Sequence, residues 1–176
     1  MESDATGRAS VRIRVWEVVA CLGVLAILGA VLFPVFAQNK GSHRSVALSN
    51  VKVLGLGATM YADDFDDHLP NARKWMDLTM PYVKFDAAYH AYDLPDSSPQ
   101  AYGIAFRGSL SSGDTKRIKE PEIIAMIFDS TLLFRNAASE LWSLPKPPRH
   151  NGVTNLVAFA DGHAKGVTQE ASQNLR

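Results

Sequence analysis

From Val18 to Ala37 the chain reads VVACLGVLAILGAVLFPVFA, twenty residues with no charge and no strongly polar side chain. At 1.5 Å rise per residue, a helix of that length spans roughly 30 Å, the hydrocarbon thickness of a bilayer. The pattern predicts a transmembrane helix over 15–37. Arg8, Arg12 and Arg14 stand before it against Glu2 and Asp4, and Lys40 and Arg44 follow it. The slightly more basic N-terminal flank belongs in the cytoplasm. A cleaved secretory signal is a competing reading, but the run is long for one, and Val35-Phe36-Ala37 is a poor small-residue cleavage site. A buried core helix apolar on every side needs more protein around it than this chain offers. Pro34 lacks an N–H and should kink or end the helix, and the polar Gln38–Ser42 marks a second weak point.

Beyond that point the period changes. Val46, Val51, Val53, Leu54, Met60 and Tyr61 recur at near-helical spacing and predict a helix over 45–62. Gly55 and Gly57 cost such a helix about 1 kcal/mol each against alanine, and close packing against the rest of the domain accounts for them. Residues 72–83 read as a short amphipathic helix with Trp75, Leu78 and Tyr82 inward and Pro81 near its end. Residues 86–113 are rich in Ser, Pro, Asp and Gly and read mostly as loop, with a strand over 101–107. The apolar run 122–129 behind Pro121 predicts a buried strand. Pro145, Pro147 and Pro148 make 143–150 an extended connector. The runs 155–160 and 163–168 flank Asp161-Gly162, a strong hairpin signal because a tight primed turn needs positive φ there.

Composition narrows the function classes. The 176 residues carry 18 Lys+Arg and 18 Asp+Glu, a net charge of zero. No clustered positive charge is present to displace counterions, so nucleic acid is not an expected partner. One cysteine, Cys21, excludes an intrachain disulfide and any cysteine-rich zinc site.

Candidate chemistry is sparse. Asp63, Asp64, Asp66 and Asp67 offer clustered oxygens, but their spacing is not that of an EF-hand, and an exposed acidic turn explains them. His150, Asp161 and His163 are residue types that bind transition metals. A structural role competes, in which His150 bonds a carbonyl or Asp161 and locks the last loop onto the sheet. No nucleophile elbow, phosphate loop, dinucleotide fingerprint or zinc-protease motif occurs. The expectation is no enzyme, no metal site and no cofactor. Glu17, at the edge of the apolar run, is either a carboxylate favoured in the first turn of a helix or an acid that pairs with a positive group on a neighbouring helix.

Three stretches together resemble the prepilin-type proteins, relatives of type IV pilins and type II secretion pseudopilins. Glu17, then mostly apolar residues, then Leu32-Phe33-Pro34-Val35-Phe36-Ala37-Gln38 looks like that family's N terminus. Leu48-Ser49-Asn50 through Leu54-Gly55-Leu56 to Met60-Tyr61-Ala62-Asp63 is similar to its next segment. Arg149-His150-Asn151-Gly152 followed by Asp161-Gly162-His163 resembles its C-terminal H-x9-DG signature, here with ten residues between His150 and Asp161. The resemblance implies an α+β, pilin-like fold in which a long N-terminal transmembrane helix continues into a small antiparallel sheet domain. It implies three regions: a leader-like cytoplasmic segment 1–14, the membrane helix 15–37 and an extracytoplasmic domain 38–176. The implied function is a pseudopilin-like structural subunit of the cytoplasmic (inner) membrane. Its partners would be the lipid bilayer and other pilin-like subunits or itself, and Glu17 would be its helix-assembly residue. The processing junction would fall at Arg12 and Ile13, where the family carries a leader glycine before the cleavage point. Arg12 leaves open whether prepilin peptidase acts here. Without cleavage the chain is expected to stay a tethered monomer or minor subunit. Many members also carry a cysteine pair, whose positions here are Ala47 and about Tyr92. The alternative is a membrane-tethered extracytoplasmic module that binds a ligand, a metal or a surface polysaccharide and does not assemble.

Overall fold

In a computed structural model of the chain, the described residues are 14–37, 43–92, 94 and 101–175, with side chains at 31–37 excluded. The processing junction at Arg12 and Ile13 and the weak point at 38–42 lie outside them. The chain divides into two compact units after Lys40.

The first unit is one helix, α1 (Val15–Ala37). Its backbone stays helical three residues past Pro34, so the proline does not end it. Every described side chain from Val15 to Ala30 is exposed, Val15 at 80% and Leu25 and Val19 at 63%. Among the described residues no helix is long and apolar enough to cross a membrane. The described side chains of α1 run from Val15 to Ala30.

The second unit is α+β. Two helices, α2 (His43–Asp64) and α3 (Trp75–Val83), cover one face of a sheet built from β1 (Ile104–Arg107), β2 (Ala125–Asp129), β3 (Ala138–Ser139), β4 (Thr154–Phe159) and β5 (Ala164–Thr168). The strand order is β3-β1-β2-β4-β5. Pairing is antiparallel except between β1 and β3, so the expected wholly antiparallel sheet is corrected to a mixed one. Ala47, Val51, Leu54, Ala58 and Ala62 form the buried stripe of α2 and pack with Trp75, Phe106, Ile127 and Leu156. The opposite face of the sheet holds Ala105, Phe128, Val157 and Phe159 against Leu144 and Leu141. Burial on both faces explains why β2 and β4 read as continuous apolar runs rather than alternating ones.

The two glycines of α2 are contact points. A Cβ on Gly55 would lie 2.8 Å from the Ala158 Cβ of β4, and one on Gly57 2.7 Å from Val83 Cγ2 of α3. The short helix α3 starts at Trp75 rather than Ala72. Its buried residues are Trp75, Met76, Thr79 and Val83, while Leu78 and Tyr82 are half-buried. Lys84 ends it in the left-handed region, φ +68°. After α2, Asp66 and Asp67 turn the chain with positive φ. Two of these acids hold partners through their carboxylates, Asp67 with Lys116 and Asp64 with the Tyr82 hydroxyl at 2.7 Å, while the Asp66 backbone carbonyl accepts from His68 Nδ1 at 2.7 Å. They form the acidic turn that the spacing indicated.

Candidate functional site

The residues of the C-terminal signature occupy two separate turns. The first follows the proline-rich connector. His150 and Thr154 bond each other's backbone, His150 N–H to Thr154 O at 2.9 Å, and this closes a three-residue turn over 151–153. Asn151 (φ +55°) and Gly152 (φ +69°) both sit in the left-handed region, which Asn and Gly adopt at least cost. The second turn joins β4 to β5. Phe159 N–H donates to His163 O and Gly162 N–H donates to Phe159 O, both at 2.9 Å. This is a three-residue loop in which positive φ falls on Gly162 (+86°) and not on Asp161, so the expected two-residue primed turn is corrected.

The partner of His150 is Asp129, at the end of β2, and not Asp161. His150 Nε2 and Asp129 Oδ2 are 3.1 Å apart. The same oxygen accepts the Leu156 N–H of β4 at 2.7 Å, and Oδ1 accepts Arg149 Nη1 at 2.9 Å. Arg149 also donates to the carbonyls of Gly103 and Ser130, each at 2.6 Å. Asn155 Oδ1 accepts the Arg149 N–H, and its Nδ2 donates to Pro145 O. Arg149 and Asp129 side chains are 5% and 2% exposed. One carboxylate thus ties β2, β4, the chain before β1 and the proline-rich connector. Three donors, two on Oδ2 and one on Oδ1, hold this carboxylate in place within the domain. This is the lock that the sequence allowed for His150, with a different acid.

Asp161 pairs instead with His163, whose N–H and Nδ1 lie 3.0 and 2.6 Å from Oδ1. Burial at the turn pushes the Asp161 carboxyl up, but the His163 backbone N–H and ring outweigh it and hold it below the ordinary 3.8. The His163 ring stacks on Phe159, centroids 4.4 Å apart. The three residues weighed as metal ligands therefore divide between two turns. Among the described residues no group of three His, Cys, Asp or Glu side chains could hold a metal ion.

Glu17 sits at the start of α1 and its carboxylate turns back on its own helix. Oε2 accepts the Arg14 N–H at 3.2 Å, the reach-back bond of a capping box, with Arg14 at the N-cap and Glu17 at the third helical position.

Sequence reasoning missed Asp129 and Asn155, and it quoted Arg149 only as part of the C-terminal signature. The available signal was an acid closing an apolar strand, which demands a buried donor. Nothing in a linear pattern says that the donor lies twenty residues on. Beside the lock, Thr131, Leu133, Pro145, Lys146, Pro147 and Pro148 line an open, mainly apolar cleft of about 480 Å³. A second polar group, at the surface, surrounds Arg135. It donates to Asp77 Oδ1 from Nε and Nη2 at 2.9 and 2.7 Å, and from Nη1 to the Tyr102 hydroxyl at 2.9 Å.

No protein-family model, no curated protein and no solved structure matches this chain.

Proposed function

We propose that the protein is a membrane-anchored, pseudopilin-like structural subunit, held in the bilayer by α1 and presenting its α+β domain outside the cytoplasm. The observation that carries this reading is α1 itself. Its exposed side chains include Val15, Trp16, Val18, Val19, Leu22, Val24, Leu25, Ile27 and Leu28. In water such a surface is unfavourable by about 25 cal/mol per Å², so it belongs against lipid or another apolar helix. The resemblance of the N-terminal and C-terminal stretches to prepilin-type proteins supports the same reading, as does a helix, α2, laid over one face of a small sheet. Glu17 serves as the assembly residue when its carboxylate leaves the Arg14 N–H for a positive group on a neighbouring helix. The buried carboxylate of Asp129, held by Arg149, His150 and the β4 backbone, fits a structural role within the α+β domain.

The cleft beside Pro145–Pro148 favours one second reading, a tethered module that binds a ligand and does not assemble. Cys21 separates the two. It is the chain's one cysteine and is exposed on α1. Two copies packed through α1 bring this thiol near its counterpart, and a disulfide forms only where Cα atoms approach within about 7 Å. Oxidation of native membranes is expected to give a covalent dimer that Cys21→Ser abolishes. A chain that stays monomeric in those membranes favours the tethered module.

A further inference from the structure

We infer that the turn after His150 is a site of spontaneous covalent modification, in which Asn151 loses its amide and the backbone isomerises. The chain contains one Asn-Gly pair, Asn151-Gly152, and one Asp-Gly pair, Asp161-Gly162. Both pairs can form a succinimide, and the fold treats them oppositely.

At the first, Asn151, Gly152 and Val153 are all exposed. The turn is closed by the flanking residues, with the Val153 and Thr154 N–H groups donating to His150 O. The Gly152 N–H makes no hydrogen bond among the described residues and is open to solvent. No atom lies within 4 Å of where a Gly152 Cβ would be, so nothing shields the nitrogen on that side. The reaction follows from these groups. The Gly152 nitrogen, having given its proton to water, attacks the Asn151 side-chain carbonyl carbon and a C–N bond forms. The bond to Nδ2 breaks and that nitrogen leaves with a proton from water as ammonia. Water then opens the five-membered ring at either carbonyl. One opening gives aspartate and the other gives isoaspartate, with one extra methylene in the backbone. Each adds one negative charge beside a cleft lined by Gly152 and Lys146.

At the second pair the same chemistry is blocked three times. The Gly162 N–H is already given to Phe159 O at 2.9 Å. The Asp161 carboxylate is held by the His163 N–H and ring, in the ionised form that is a poor electrophile. The glycine is packed, with Leu56 Cδ2 3.2 Å and Thr59 Cγ2 3.6 Å from its would-be Cβ. Asp161-Gly162 is therefore the internal control.

The test is peptide mapping by mass spectrometry of the full-length chain in detergent, incubated folded or in denaturant at mildly alkaline pH. Folded protein is expected to accumulate aspartate and isoaspartate at 151 severalfold faster than at Asn71, Asn136 or Asn155. Residue 161, followed at about pH 5 so that ionisation alone does not protect the unfolded chain, is expected to gain isoaspartate only in denaturant. Asn151→Asp bypasses the loss of ammonia and leaves the turn able to close, so it should remain folded and, incubated at about pH 5 where part of an exposed aspartate is in the electrophilic acid form, show isoaspartate at 151 with no deamidation. An Asn151 no faster than the other asparagines in the folded chain would overturn the proposal. So would isoaspartate at 161 in the folded chain at the rate seen for 151.

Discussion

Asp129 is the buried acid that joins β2 to β4 and to the proline-rich connector. It is 1% exposed and accepts from Arg149, from His150 and from the Leu156 backbone. Removing one member of a buried ion pair strands the other, at about 3–5 kcal/mol. Asp129→Asn should lose about that much in denaturant melts of the detergent-solubilised chain, whereas Asp161→Asn, on the exposed turn, should lose under about 1 kcal/mol. Equal losses would mean that the signature aspartate, and not the strand-end one, organises the C-terminal region. A second group responds to acid. Asp77 is held below its ordinary 3.8 first by the Arg135 hydrogen bonds and then by Asn136. Asp86 is held down first by His90, against the opposing effect of burial, and then by Arg135. A depressed carboxyl stabilises the fold fully above its unfolded value and loses that contribution as pH falls through the folded one. The melting temperature should therefore drop as pH falls below the ordinary carboxyl value of 3.8, and Arg135→Gln should flatten that limb. Both acids are half-exposed, so the effect is modest.

At the scale of the element, the close approaches are what sequence reading placed well and what substitution tests best. Gly55→Ala gains about 1 kcal/mol of helix propensity. It also puts a methyl 2.8 Å from the Ala158 Cβ and 3.5 Å from the Gly162 carbonyl oxygen. Overpacking of that kind costs about 1–3 kcal/mol. The variant should melt lower than the parent; a higher melting temperature would mean that α2 lies on the sheet more loosely than described. β2, β4 and β5 were legible because short apolar runs bounded by proline or Asp-Gly have few other uses. β3 was not, since two residues, Ala138 and Ser139, carry no period. The start of α3 was misplaced for a physical reason. Ala72 is buried, which extends the amphipathic pattern, but its N–H is held by Ser111 Oγ at 2.9 Å in a turn rather than by a helix. The pairing of His150 with Asp129 was illegible too, because the two stand 21 residues apart and nothing local joins them.

For the whole molecule the account rests on α1. Its residues were the plainest signal in the sequence, and the helix they form keeps every described side chain exposed. The domain after Lys40 carries two apolar layers of its own, one on each face of the sheet. The most direct test is to isolate native membranes, wash them at high pH and high salt, and ask where the full-length chain is found. The account predicts that it stays with the lipid and comes out only with detergent. Release of the chain into the wash would contradict the anchor, and with it the reading of this protein as a membrane-held subunit.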